Sequence, residues 1–565
     1  MKRNIKLFMG VALASLSLAT TSCIDETEPT SGATQNQIDQ SKNTVSGMLM
    51  ALPKRLNVME GDTYQHYAFG YGAMMHVRDI ETGDMPIAFS DYDQFMGWER
   101  NLGQGDAYMM PQYLWNYYYQ SVLTCNKLLA SATDVTGSDS LLVKGARGAA
   151  YAFRAMYYLD MARCYEYLPA DVTEAEAKAN GVEGLTVPIV TDTTTQQDTK
   201  NNPRATHKQM FAFIKNDLDS ALTYVPYLAK ASESLGANRT LPHEAAVYGL
   251  YARLYMWDGA NPDGSDKAAA DGSDPAAVAA GKTSYRMAYD YANTAIKAAS
   301  SDAPMSYSDC LEVNSSGEIT GYTKTCFNTL SKFLWGAQQT DQDATVTSGI
   351  VNWTSWMSPQ CSFGYAGAGP VPMMDNNLFK EMYAGNWMQV FFDSDNKLTP
   401  NVGYKFQPNE GNYTNYKVAC ASAYPLMRIE EMYFIQAEAL AHYGSAKNAK
   451  TLFEGFMNNY RSGFSKDKYK ISGSDKEDVI KAIVNQKRIE FWGEGISFFD
   501  IKRLNWSVTR GYSGTNFKAT TRFNTKGRPA WMNWCIVRTE QNNNAAIVGK
   551  NNPDPSSKYT EWTEE

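Results

Sequence analysis

The chain has 565 residues, 44% of them hydrophobic, and a formal net charge of −8 with a pI near 5.4. That apolar share suffices for a sizeable core, and an acidic body without basic runs argues against nucleic acid as a partner. Length alone suggests three or four domains, a rule that repeat architectures break.

The N-terminus reads as an address. Lys2, Arg3 and Lys6 precede an apolar run from Leu7 to Ala19. A bilayer needs about 20 residues, so this run is too short to span one. Residues 1–22 are therefore predicted to be a secretory signal. Thr20, Thr21 and Ser22 ahead of Cys23 resemble a bacterial lipobox, with Thr20 where a Leu is usual. Cleavage there exposes Cys23 for acylation, and two or more acyl chains anchor stably. An ordinary signal peptide with an incidental cysteine is the plainer alternative. Asp25, Glu26 and Glu28 resemble the acidic export tag of surface lipoproteins in the Bacteroidetes, which suggests the outward face of the outer membrane. Residues 23–43 then form a lipidated tether, and no later segment is long and apolar enough to span.

Helical spacing dominates the rest of the chain. Gln112–Ala130 places Leu114, Tyr117, Tyr118, Val122, Leu128 and Leu129 on one stripe, and Trp115 within it is expected in the core. A second helix is expected to end near Pro169, with Ala149, Phe153, Met156 and Leu159 in line. Its small Ala149/Ala152 face permits close packing. Further helices are expected at 207–223, 242–257 and 284–299. A Gly/Asp/Ala-rich surface insertion lies between the last two and lacks the EF-hand pattern. Residues 300–420, rich in Gly, Asn, Trp and Tyr, are expected to be long loops with a few short strands, the kind of segment that carries function. Arg428–Gly444 and the run from Ser445 have the texture of a tetratricopeptide hairpin. Ser474 is predicted to form a capping box with Glu477.

No zinc spacing, HExxH, GxSxG or phosphate-loop motif is present. Neither a metal nor a cofactor is indicated. The five histidines, at 66, 76, 207, 243 and 442, show no ligand spacing. Cys310 and Cys326 are the closest pair of cysteines and can bridge in an oxidising compartment, although most of the eight read as small buried hydrophobes.

The run "QKRIEFWGEGISFFDIKRL" at 486–504 resembles the C-terminal signature of the SusD/RagB family of outer-membrane lipoproteins. Glu490, Glu494, Gly495, Phe499, Asp500, Ile501 and Arg503 fall on matching places, while Gln486, Lys487 and Ser497 depart from the pattern. Glu490 and Glu494 are expected one turn apart on a helix, with Lys487 and Arg503 as partners in a scaffold role. "GAAYAFRAMYYLDMARCYEYLPA", "RATHKQMFAFIKNDLDSAL" and "YPLMRIEEMYFIQAEAL" resemble three further family segments, in family order.

The resemblance implies a mainly α fold. Tetratricopeptide-like hairpins would form a scaffold with long irregular loops and a few short strands, one SusD-like domain over 44–565 with a loop-rich insert at about 300–420. It also implies a non-enzymatic surface protein that binds glycan and hands it to a TonB-dependent, SusC-like transporter. Peptide capture on the same architecture and a surface glycosidase are the alternatives. The family's ligand residues come from loops in two regions. Here these hold Tyr92 and Trp98 beside Asp91, Asp93, Gln94, Arg100 and Asn101, and then Trp353, Trp356 and Tyr365. Aromatic content of 13% fits such a role, because Tyr and Trp join an apolar face to a polar edge. Core packing competes for each ring. Trp98 stands out because charged and amide groups surround it.

Overall fold

The computed structural model describes residues 44–60, 65–88, 92–132, 140–262, 264, 275–299, 302–316, 318–321, 326–346, 352–463 and 467–564. Cys23, the signal segment and the tether lie outside them. So do Asp91 and residues 263 and 265–274 of the expected surface insertion.

Eleven helices carry the architecture: α1 (Thr44–Arg55), α2 (Gly70–Ile80), α3 (Met109–Ser131), α4 (Ser140–Tyr165), α5 (His207–Tyr224), α6 (Glu244–Ala260), α7 (Pro275–Ala298), α8 (Ile429–Tyr443), α9 (Ala446–Phe456), α10 (Lys476–Glu490) and α11 (Ser497–Arg503). They pack in series, α3 on α4, α4 on α5, α5 on α6, α6 on α7, α7 on α8, and α8 on both α9 and α10. Each unit thus covers the apolar face of the next, as in helical-repeat proteins. Local chemistry sets the ends. Thr206 and Gln209 form a reciprocal capping box ahead of α5. Gly444 stops α8, and Ser445 accepts the Asn448 amide to start α9.

Three expectations about these elements change. α7 begins at Pro275, earlier than 284, because proline suits the first helical position and an alanine run follows it. The Ser474–Glu477 capping box does not form: Asp475 is the N-cap, with no side-chain bond, and this start moves Glu477 out of the box position. α10 ends at Glu490, so Glu494 lies in the following turn and not farther along the same helix. Glu490 and Glu494 pair instead with Arg428, Arg461 and Lys405. Lys487 goes to Asp500, and Arg503 to Glu438 and Asp500.

Between α7 and α8 the chain forms loops with one-turn helices and short strands. Five two-stranded antiparallel pairs occur among the described residues. Trp335–Gln338 pairs with the fully buried strand Ala423–Met427, and Ile87–Ala88 pairs with Val371–Pro372. The second pair ties the chain just before residue 92 to the loop region. Cys310 and Cys326 form a disulfide with their Cα atoms 5.2 Å apart. Cys125, Cys164, Cys361, Cys420 and Cys535 are buried thiols outside any disulfide. The main apolar core runs from Leu49 to Ile547, and a second cluster around Phe434, Phe453 and Ile483 fills the space between α8, α9 and α10.

Candidate functional site

The two loop regions singled out in the sequence meet in one aromatic cluster. Phe95 and Trp356 form its floor, with centroids 5.4 Å apart in an edge-to-face arrangement. Tyr365 stands 6.3 Å from Trp356 and 6.2 Å from Tyr92, and His66 lies 4.7 Å from Tyr365 and 5.7 Å from Tyr92. Such edge-to-face and tilted contacts are favoured by the ring quadrupoles. Four separated stretches of chain therefore converge: 65–69, 92–99, 352–357 and 362–368.

Only the top of this cluster opens to solvent. Tyr92 is 46% exposed, whereas Tyr365 and Trp356 are buried at 2% and 1%. Polar atoms frame the opening. The His66 amide donates to Gln94 Oε1 at 2.6 Å, and the His66 ring is hydrogen-bonded to the Tyr365 hydroxyl. The Gln94 amide reaches the same hydroxyl at 3.4 Å. On the other side the Tyr413 carbonyl accepts the Ser362 amide and hydroxyl at 3.3 and 3.0 Å, which sets the exposed Tyr413 beside the 362–365 segment.

Burial controls the ionisation below. It lowers His66 to about 4 and His76 to about 3, so both imidazoles are neutral at pH 7. Burial also raises the carboxyl groups of Asp93 and Glu99. Among the described residues no three His, Cys, Asp or Glu side chains are disposed as a metal site.

The expected site residues divide sharply. Trp98 is turned inward: its indole donates to the Gly103 carbonyl at 3.2 Å and its ring lies edge-on to Trp534 at 5.4 Å. The reversal that does this uses Asn101, whose left-handed backbone (φ 54°) and side chain, bonded to Gln104 at 2.7 Å, make it a turn residue. Trp353 is fully buried against Phe406 and Tyr424. Trp356 and Tyr365 support the cluster from beneath. Arg100 is half-buried, and Tyr92 is the exposed ring. Trp115 is in the core. Sequence reading missed His66 and Tyr413, although the Asn/Tyr-rich stretch 412–416 carried a compositional signal; Gln94 was among the polar residues expected beside Tyr92.

A family model described as "Starch-binding associating with outer membrane" matches residues 53–256, and the model of the SusD family matches residues 355–560. No curated protein matches the sequence. Among solved structures, a SusD-like carbohydrate binding protein from Bacteroides vulgatus aligns with a TM-score of 0.64 at 17% identity, over 91% of this chain and 98% of its own. A SusD superfamily protein from Bacteroides thetaiotaomicron gives 0.61 at 16%, over 90% and 99%. Surface glycan-binding protein A from the same organism, in complex with laminarihexaose, gives 0.59 at 14%, over 90% and 98%. The fold is shared along nearly the whole chain, and with two family models on its two halves the chain belongs to the SusD/RagB family.

Proposed function

We propose that the protein is a surface lipoprotein, anchored through Cys23, that binds an oligosaccharide at the Tyr92 cluster. It passes this cargo to a TonB-dependent outer-membrane transporter of the SusC type. The observation that carries the glycan reading is the convergence of Tyr92, His66 and Tyr365 at one opening. An exposed ring there stands beside amide and hydroxyl groups, which matches a sugar's apolar face and its hydroxyl edge. Tyr92 is the contact residue in this reading, with Arg100 and Tyr413 at the rim. Trp98, Asn101, Trp353, Trp356 and Tyr365 hold the rim in place. A solved relative holds laminarihexaose, and no helix among the described residues is long and apolar enough to cross a membrane, which accords with attachment by lipid.

The protein binds its cargo without transforming it. Calorimetric titration of the purified protein with panels of neutral oligosaccharides and peptides tests the reading. Glycan heat that disappears in Tyr92→Ala supports it. Tight peptide binding, or reducing ends released from polysaccharide, overturns it.

A further inference from the structure

A cleft of about 890 Å³ opens where α7, α10 and the segment after α11 meet. These elements carry none of the residues of the Tyr92 cluster. The volume falls in the range of small-molecule sites, roughly 300–1,000 Å³. Trp506 lines the cleft half-buried, resting against both apolar clusters of the core. That disposition leaves part of a ring free to carry a sugar.

The wall beside it is cationic. Lys282 on α7 and Lys476 and Lys481 on α10 line the cleft, and none of the three is in an ion pair among the described residues. Burial lowers the Lys476 ammonium from its ordinary value; Glu477 opposes this and Lys282 adds to it. Two like charges, from α7 and from α10, therefore line the same cleft, an arrangement that a bound anion relieves. Arg503 lies below them, its side chain only 6% exposed. It spends Nε and Nη2 on Asp500 and Glu438, and its Nη1 is buried with no acceptor. Glu477 lies beside Lys476 on this wall, and the other acidic groups lie elsewhere in the cleft. Asp375 is occupied with the amides of Asn377 and Leu378 and with the Tyr512 hydroxyl. Glu381 sits toward the far end of α10, where its carbonyl accepts Gln486.

We infer that this cleft is a second ligand site, for an oligosaccharide bearing a carboxylate or a sulfate ester. The sugar ring rests on Trp506 and the anion sits among Lys282, Lys476 and Arg503. Carbohydrate as the cargo rests on the proposed function; the second place and the charge are additional to it.

The full chain is titrated with a neutral oligosaccharide, a uronate oligosaccharide and a sulfated one of matched length, and with inorganic sulfate. Wild type is expected to bind one of the acidic sugars at least about ten-fold tighter than the neutral one. That excess is expected to persist in Tyr92→Ala and to vanish in the Lys282→Ala/Lys476→Ala double variant, whose substitutions are exposed and leave the melting temperature unchanged. Whichever acidic sugar binds identifies the anion. Acidic sugars bound no tighter than the neutral one, an excess that survives in the double variant, or inorganic sulfate binding as well as the sulfated sugar would each overturn the inference. Neutral glycan heat lost only in Tyr92→Ala leaves the primary reading standing in all those cases.

Discussion

Arg428 and Glu494 lie 66 residues apart in the chain and meet as a bidentate pair, Nε 3.0 Å from Oε2 and Nη2 2.9 Å from Oε1. The same guanidinium reaches Glu490 Oε1 at 2.9 Å, and Glu490 also accepts Arg461 Nε at 2.6 Å. Lys405 gives its ammonium to Glu494 Oε1 at 2.6 Å and to the carbonyls of Glu490 and Trp492. Every member is buried. Charges taken out of water are tolerated only when partners and hydrogen bonds surround them, so removing one is severe. Arg428→Met is expected to cost about 3–5 kcal/mol, read as a shift of the urea midpoint. An unchanged midpoint would show that the joint between α8 and α10 does not depend on this pair.

The His207 ring is held by two carboxylates, Nδ1 to Glu166 at 2.7 Å and Nε2 to Asp258 at 3.1 Å. Burial disfavours the charged ring, but these partners outweigh it and raise the pKa from 6.5 to about 9. The resulting stability is fully present below pH 6.5 and is lost as the pH climbs through 9. Its size is on the order of 3 kcal/mol. Lys502 contributes the opposite slope, since burial lowers it from 10.5 to about 7 and its penalty fades between those values. The difference between wild type and His207→Gln removes that background. Denaturation at several pH values is expected to show a gap that is widest near pH 6 and shrinks by about pH 9.5; a gap of constant size means the folded ring is not charged.

Exposure separates the roles of two aromatic residues only six positions apart. Tyr92→Ala removes a solvent-facing ring and is expected to change stability by less than about 0.5 kcal/mol while weakening glycan binding about ten-fold or more. Trp98→Ala empties a packed space beside Trp534 and is expected to cost about 3–5 kcal/mol. Calorimetric titration and melting of both variants check this. A stable Trp98→Ala protein that has lost only its ligand would reverse the assignment.

Two glycines report on helix packing with opposite signs. A Cβ on Gly148 of α4 would stand 2.4 Å from the Val225 amide nitrogen, a backbone atom that cannot yield without moving the chain. Gly148→Ala is therefore expected to destabilise by about 1–3 kcal/mol, despite alanine's better helix propensity. A Cβ on Gly455 of α9 meets nothing within 4 Å, so Gly455→Ala is expected to stabilise by about 0.5–1 kcal/mol. Equal effects from the two substitutions would refute the packing account.

The helices were legible because burial of one face writes a period near 3.6 into the chain, and the stripes through Leu114 and Phe153 lie buried in α3 and α4. The family was legible because the charged signature at 490–503 is needed for a buried joint. Its partners were not: Lys405 and Arg461 come from distant segments, and no local spacing encodes a contact across that separation. The binding surface shows the same limit. Composition and loop content drew attention to the regions around residues 92 and 353, and the structure brings both to one cluster. Which ring would face water was a tertiary decision, since tryptophan serves equally as core filler and as platform. A reversal at Asn101 turned Trp98 toward Trp534, and Phe406 and Tyr424 enclosed Trp353, leaving Tyr92 outside.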